Sequence, residues 1–192
     1  KKESDTAIYV IARNAGEGAD RSATTKSSSM SGENGETIKF EVGDYELTDL
    51  EKANLALVGK NFDKVAVVLN VGGVIDTKFM DEIEGLDALL NMSQAGQESG
   101  TAAFDILTGA VTPSGKLTST WAKDYSDYPA SDTFGANDGD ELLELYNEGI
   151  YVGYRYFDTF NITPAYEFGY GMSYTDFNIA VDEVEANEDK VT

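Results

Sequence analysis

Apolar positions in this chain switch between two spacings, and the switches predict its elements. Residues 7–12 (Ala7, Ile8, Tyr9, Val10, Ile11, Ala12) run almost without a polar break, which predicts a buried strand. Residues 65–69 (Val65, Ala66, Val67, Val68, Leu69) repeat that pattern, as a parallel strand covered on both faces should. Between them, residues 15–43 are rich in Ser, Thr, Gly and Glu and read as one long loop. Thr48-Asp49-Leu50-Glu51 then supplies an N-cap with a glutamate three residues on. It opens an amphipathic helix to about Asn61 with Leu50, Ala53, Leu57 and Val58 on one face.

The second strand ends in Asn70-Val71-Gly72-Gly73, a short helical or turn segment follows over residues 81–86, and residues 88–92 predict a third strand. Gly96-Gln97-Glu98-Ser99-Gly100 introduces a helix through Ala102, Ala103, Phe104, Ile106 and Leu107 that stops at Gly109. Residues 117–121 are a weaker fourth strand. Strand and helix in alternation predict an α/β fold: a mostly parallel sheet flanked by helices, an α/β sandwich of flavodoxin-like kind. Three clear strands fall short of the five or six of a doubly wound sheet, so the sheet is expected to be incomplete at its N-terminal side. Residues 121–145 read as an acidic, turn-rich excursion, and the alternation of Ile179, Ala180, Val181 and Val184 with Asp182, Glu183 and Glu185 reads as a strand leaving the domain. The expected division is therefore a domain over residues 1–178 and a strand or linker over 179–192.

Composition narrows the chemistry. With 41% apolar and 11% aromatic residues in 192, the chain has enough apolar side chains for one real core. A formal charge of -21 argues against nucleic acid and anionic membrane surfaces, which call for a basic patch, and favours a neutral or cationic ligand. The absence of cysteine and histidine removes thiolate nucleophiles, imidazole catalysis and most zinc sites. Acid–base work must fall to carboxylates, tyrosines or lysines, and no metal or cofactor is called for.

Glu17 stands out among them. It lies in Gly16-Glu17-Gly18, directly after the first strand, where α/β proteins deliver ligand-facing residues. Taken alone, such a turn is more often an ordinary solvated one. The aromatic and glycine-rich stretches at residues 146–158 and 166–174 suit stacking on sugar faces, although core and turn packing accounts for most of those rings. Glu98 reads as a helix-start carboxylate, and Asp44 and Asp49 as turn and helix-start residues.

Six blocks, in order, carry a resemblance. They are Gly16-Glu17-Gly18-Ala19-Asp20-Arg21, Val67-Val68-Leu69-Asn70-Val71-Gly72-Gly73, Ala95-Gly96-Gln97-Glu98-Ser99-Gly100, Pro113-Ser114-Gly115-Lys116-Leu117, Glu148-Gly149-Ile150-Tyr151-Val152-Gly153-Tyr154-Arg155-Tyr156 and Phe168-Gly169-Tyr170-Gly171-Met172-Ser173-Tyr174. Together they resemble the C-terminal α/β-sandwich domain of family 3 glycoside hydrolases of the β-glucosidase type. Met172 stands for the more usual Leu and Ala95 for the more usual Pro.

The resemblance implies a retaining, exo-acting β-glycosidase acting on β-glucosides or short β-glucans. Its site would lie between this domain and a (β/α)8 barrel carrying an aspartate nucleophile, on the same parent polypeptide or another chain. It implies that Glu17 is the general acid/base and that Asp20, Arg21, Glu148, Tyr151 and Arg155 support the site or touch substrate. For Glu148 and Arg155, a salt bridge fixing the aromatic segment is an equal account. On this reading the chain alone is expected to be inactive. Three alternatives are weighed against it: a β-xylosidase, a non-catalytic carbohydrate-binding module on the same scaffold, and a flavodoxin-like nucleotide-binding domain. The last is disfavoured, because the glycine motif lacks its third spaced glycine and no helix follows the turn.

Overall fold

The structure, a computed structural model, describes residues 3–13, 28–31, 37–40, 45–133, 146–172, 174–187 and 190. In chain order its elements are strand β1 (Thr6–Arg13), strands β2 (Ser28–Ser31) and β3 (Thr37–Phe40), helix α1 (Asp49–Asn61), strand β4 (Lys64–Val71) and helix α2 (Phe79–Glu82). Strand β5 (Ala88–Asn91), helix α3 (Ser99–Leu107), a 3-10 turn (Tyr125–Asp127) and helix α4 (Tyr154–Phe160) complete the described fold.

A parallel sheet in the order β1-β4-β5 forms the centre, with Val10 beside Val68 and Val67 beside Leu89. Parallel neighbours need a crossover, and α1 and α2 supply the two that this order requires. The core gathers on one face of the sheet, where Ile11, Val67 and Leu69 meet Leu55 of α1, Phe79 of α2 and Trp121. The expected α/β fold with a parallel sheet is therefore present.

Helix α1 begins where the sequence places it. Thr48 is the N-cap, its hydroxyl oxygen accepting the Glu51 N–H at 3.2 Å while the Glu51 carboxylate accepts the Thr48 N–H at 2.9 Å, a complete capping box. Its buried face differs from expectation. Leu50 and Leu57 are exposed and Leu55 is fully buried. The helix docks through Glu51, Leu55 and Gly59, a stripe of i and i+4 positions rotated away from Leu50 and Leu57. Gly59 explains part of that rotation, because a β-carbon there would collide with the Glu84 carbonyl, and Gly85 opposite it sits at φ +82°. Only glycines allow helix and turn to touch so closely.

Four further expectations are corrected. Residues 15–43 are not one loop, since β2 and β3 pair antiparallel with Ser28 opposite Phe40 and Ser31 opposite Thr37. β1 is buried on one face only: Ile11 is in the core, while Ile8 and Val10 are 54% and 55% exposed. It is an edge strand of the described sheet, so the apolar run overstates its cover. Residues 117–121 do not join the parallel sheet; Leu117 and Trp121 instead exchange backbone hydrogen bonds with residues 165–170, with Trp121 and Tyr166 forming an isolated antiparallel bridge. Residues 179–185 form no strand, and Ile179 and Val181 are exposed.

Candidate active site

The carboxyl ends of β1, β4 and β5 lie on one edge of the sheet, the edge where open α/β sheets bind ligands. β1 ends at Arg13, and Glu17, Asp20 and Arg21 follow in residues that lie outside those the structure describes. What the structure describes is the end of β1 that precedes them.

Arg13 makes a bidentate pair with Glu51 of α1, its Nη1 donating to Oε1 and its Nη2 to Oε2, both at 2.7 Å. Nη1 also donates to the Ala12 carbonyl at 2.9 Å and Nη2 to the Glu46 carbonyl at 3.4 Å. The pair is shielded, with the Arg13 side chain 7% and the Glu51 side chain 20% exposed. Glu51 Oε2 further accepts the Thr48 hydroxyl at 3.0 Å. Burial pushes the Glu51 carboxyl up, but the hydrogen bonds from Arg13 and Thr48 and the Arg13 charge outweigh it and hold the pKa below its ordinary 4.5. The Arg13 carbonyl accepts Gly72 N–H at 3.2 Å, tying the end of β1 to the turn after β4.

That turn carries a second buried polar group. Asp76 is 6% exposed, its N–H donates to the Tyr45 carbonyl at 2.8 Å, and its Oδ1 accepts the Lys78 N–H at 3.1 Å. Burial raises the Asp76 carboxyl above its usual range, against the opposing Lys78 N–H and ammonium. Burial also pushes the Tyr45 phenol up, helped by Tyr128 and Asp76. Lys78 reaches outward instead, pairing with Asp124 at 2.8 Å on the surface.

The remaining predicted site residues belong to the aromatic half. Glu148 offers its carbonyl to Tyr151 N–H at 2.9 Å, Tyr151 packs edge-on against Phe160 at 5.2 Å, and Arg155 Nε donates to the Val152 carbonyl at 3.4 Å. No ion pair joins Glu148 to Arg155 among the described residues, so a salt bridge between them does not fix this segment. Phe157 anchors it, fully buried and touching Tyr128 and Tyr156 edge-on. Of the rings in the two aromatic stretches only Phe157 is buried; Tyr156 and Tyr166 are half-buried, and Tyr146, Tyr151, Tyr154, Phe168, Tyr170 and Tyr174 are exposed, so core packing accounts for fewer of them than expected. The hydrogen bonds and ring contacts of Glu148, Tyr151 and Arg155 stay within residues 148–160 and do not reach the Arg13–Glu51 pair.

A shallow cleft of about 130 Å³ lies beside α4, lined by Thr120, Tyr154, Phe157, Asp158, Pro164, Glu167 and Phe168. Among the described residues, none of the predicted site residues lines it. Among the described residues no group of three or more carboxylates is arranged to hold a metal ion. Arg13 and Asp76 were polar groups of this edge that sequence reasoning did not single out, and Glu51 was read only as the glutamate of the helix start. A charged residue closing an apolar strand, and an aspartate inside Val74-Ile75-Asp76-Thr77, were the available signals.

Comparison with known proteins agrees with this architecture. The sequence profile of the Glycosyl hydrolase family 3 C-terminal domain matches residues 1–154. A beta-glucosidase of Ruminococcus albus is 42% identical over 182 residues, covering 94% of this chain and 17% of the relative. Beta-glucosidase A of Butyrivibrio fibrisolvens is 41% identical over 181 residues, covering 90% of this chain and 21% of the relative. Among solved structures, beta-glucosidase 3B of Thermotoga neapolitana in complex with glucose superposes with a TM-score of 0.73 at 38% identity, over 95% of this chain and 24% of that one. A beta-glucosidase of Paenibacillus barengoltzii gives 0.76 at 38% identity, over 96% and 18%. The chain thus spans about a fifth of the length of the relatives it matches.

Proposed function

This chain belongs to the C-terminal domain family of the family 3 glycosyl hydrolases, and from that we propose that it forms part of a retaining, exo-acting β-glucosidase in which Glu17 is the general acid/base. What supports the reading is position in the sequence: Glu17 stands four residues after Arg13, and Arg13 ends β1 at the edge where open parallel sheets bind ligands. The beta-glucosidase names of relatives about 40% identical over most of the chain support the substrate class.

Retaining hydrolysis uses two carboxyl groups about 5–5.5 Å apart. In the proposed reaction Glu17, protonated, gives its proton to the glycosidic oxygen as the nucleophile attacks the anomeric carbon. The resulting carboxylate then takes a proton from the water that releases the sugar. The nucleophile is assigned to a (β/α)8 barrel facing this edge. Asp20 and Arg21 are assigned to holding Glu17, and Glu148, Tyr151 and Arg155 to substrate contact or support of the site. Flanking glycines leave room for a sugar next to the carboxyl.

The test is Glu17→Gln in the chain joined to its barrel. Hydrolysis of a glucoside with an alkyl leaving group should fall about 10²–10⁴-fold, the usual worth of a positioned acid/base. The first-turnover burst of an activated aryl group, whose release needs no protonation, should be nearly unaffected, while its steady turnover slows because the second step lacks its base. Equal losses in the first step on both substrates would remove Glu17 from this role.

A further inference from the structure

We infer that the cleft beside α4 binds an organic cation, a guanidinium or alkylammonium group, between two carboxylates and an aromatic wall. The cleft joins the two aromatic stretches of the sequence: Tyr154, Phe157 and Asp158 come from residues 146–158, Glu167 and Phe168 from residues 166–174. Tyr154 and Phe168 lean together, with ring centroids 5.5 Å apart and planes 37° from parallel, and they stay 49% and 56% exposed. Two rings that touch each other and still show half their surface are not explained by core packing. Buried Phe157 and half-buried Pro164 complete the apolar lining.

The polar lining is dominated by acceptors. Asp158 and Glu167 bring two carboxylates, and among the described residues neither side chain makes an ion pair or a hydrogen bond. Arg155, three residues before Asp158, gives its Nε to the Val152 carbonyl. Asp158 stands in the last turn of α4, where the helix dipole already favours positive charge, and that turn carries no basic residue. Exposed carboxylates by themselves are ordinary surface. Thr120 is not: it lines the same cleft, is 5% exposed, and its buried hydroxyl has no hydrogen-bond partner among the described residues. An N–H donor seated in the cleft is the partner this hydroxyl lacks.

These features select the ligand. Carboxylates only accept, and a guanidinium or ammonium only donates. Ring faces add their own attraction for a cation. A sugar would suit the rings and would hydrogen-bond the carboxylates, but it leaves both charges uncompensated in a chain of charge -21. Two carboxylates among apolar walls are too few for a calcium ion, which takes about six to eight oxygen ligands. The volume, about 130 Å³, lies well under the roughly 300 Å³ at which pockets for whole small molecules begin, so only a head group enters.

The inference is independent of Glu17 and is tested by binding, with no turnover involved. N-Methylguanidinium is titrated into the chain joined to its barrel and followed by ligand-observed NMR, with N-methylurea, its neutral counterpart, and glucose as competitors. It should bind saturably, and neither neutral compound should displace it. Asp158→Asn and Glu167→Gln, both at exposed positions, should each weaken binding about two- to fivefold, the usual worth of an exposed ion pair, and the two together about tenfold. Phe168→Leu should weaken it about as much as either carboxylate variant. Undiminished binding by the double variant would mean diffuse attraction to the net charge and overturns the inference. Displacement by N-methylurea or glucose overturns it as well, making the cleft selective for shape or for sugar. If the probe does not enter, a crystal structure of the joined protein decides. An arginine or lysine of that protein seated against Asp158, Glu167 and the rings supports the inference and identifies the source of the cation; any other occupant, or an open cleft, overturns it.

Discussion

Glu51 serves three groups with one carboxylate: the Arg13 guanidinium, the Thr48 N–H and the Thr48 hydroxyl. Its pKa is lower in the folded chain than its ordinary 4.5, so folding favours the ionised form. The stability this gives is complete above 4.5 and is lost as the pH falls through the folded-state value. Asp76 has the opposite sign. Its pKa is raised above 3.8, so its contribution is complete below 3.8 and is lost as the pH rises through its folded value. Near neutral pH, Glu51→Gln should cost about 2–3 kcal/mol, somewhat under the usual cost of breaking a fully buried pair, since Glu51 is partly exposed. Urea midpoints between about pH 3 and 7 should show that gap narrowing on acidification. Asp76→Asn should be at least as stable as the parent at neutral pH. A pH-independent gap for Glu51→Gln would mean that packing, not charge, explains its cost.

Elements show where the sequence speaks plainly and where it does not. The continuous apolar run of β4 and the Thr48-Asp49-Leu50-Glu51 cap were legible because burial on both faces and helix-start chemistry are local, and both are formed as read. The buried face of α1 was not legible. It is set by partners distant in sequence, namely Arg13 pairing with Glu51 and Glu84-Gly85 meeting Gly59. The β2–β3 pair was missed because Ser28-Ser29-Met30-Ser31 carries one apolar residue in four, although Asn34-Gly35 between the strands is a hairpin signal. In the same way Glu17 was conspicuous by its glycines, whereas Arg13 and Asp76 look ordinary until their partners are in place. The contact between α1 and the 84–85 turn yields a prediction of its own. Gly59→Ala improves helix propensity yet drives a methyl into the Glu84 carbonyl, so it should destabilise by about 1–3 kcal/mol, the usual cost of overpacking. An unchanged thermal midpoint would show that the turn moves aside freely.

The molecule as a whole combines a strong negative charge with an incompletely covered sheet. A charge of -21 disfavours polyanions and is compatible with the neutral glucoside of the proposed function, which needs no basic patch to draw it in. On β1 the face bearing Ile8 and Val10 stands more than half exposed, although parallel sheets are normally covered on both sides. Under the proposed function catalysis is divided, because a lone acid/base can protonate a leaving oxygen but cannot form the glycosyl intermediate that retention requires. The chain by itself should therefore show no β-glucoside turnover above background. The same chain joined to its barrel should hydrolyse the substrate with retention, which proton NMR of the first-formed anomer would reveal. Adding Glu17→Gln to the joined protein should leave a fast first step on the activated aryl glucoside. Turnover by the isolated chain, abolished by Glu17→Gln, would place both carboxylates here and remove the need for a barrel nucleophile. Inversion by the joined protein would instead require a wider carboxyl spacing, about 6.5–9.5 Å, and would make Glu17 an acid that never acts as a base.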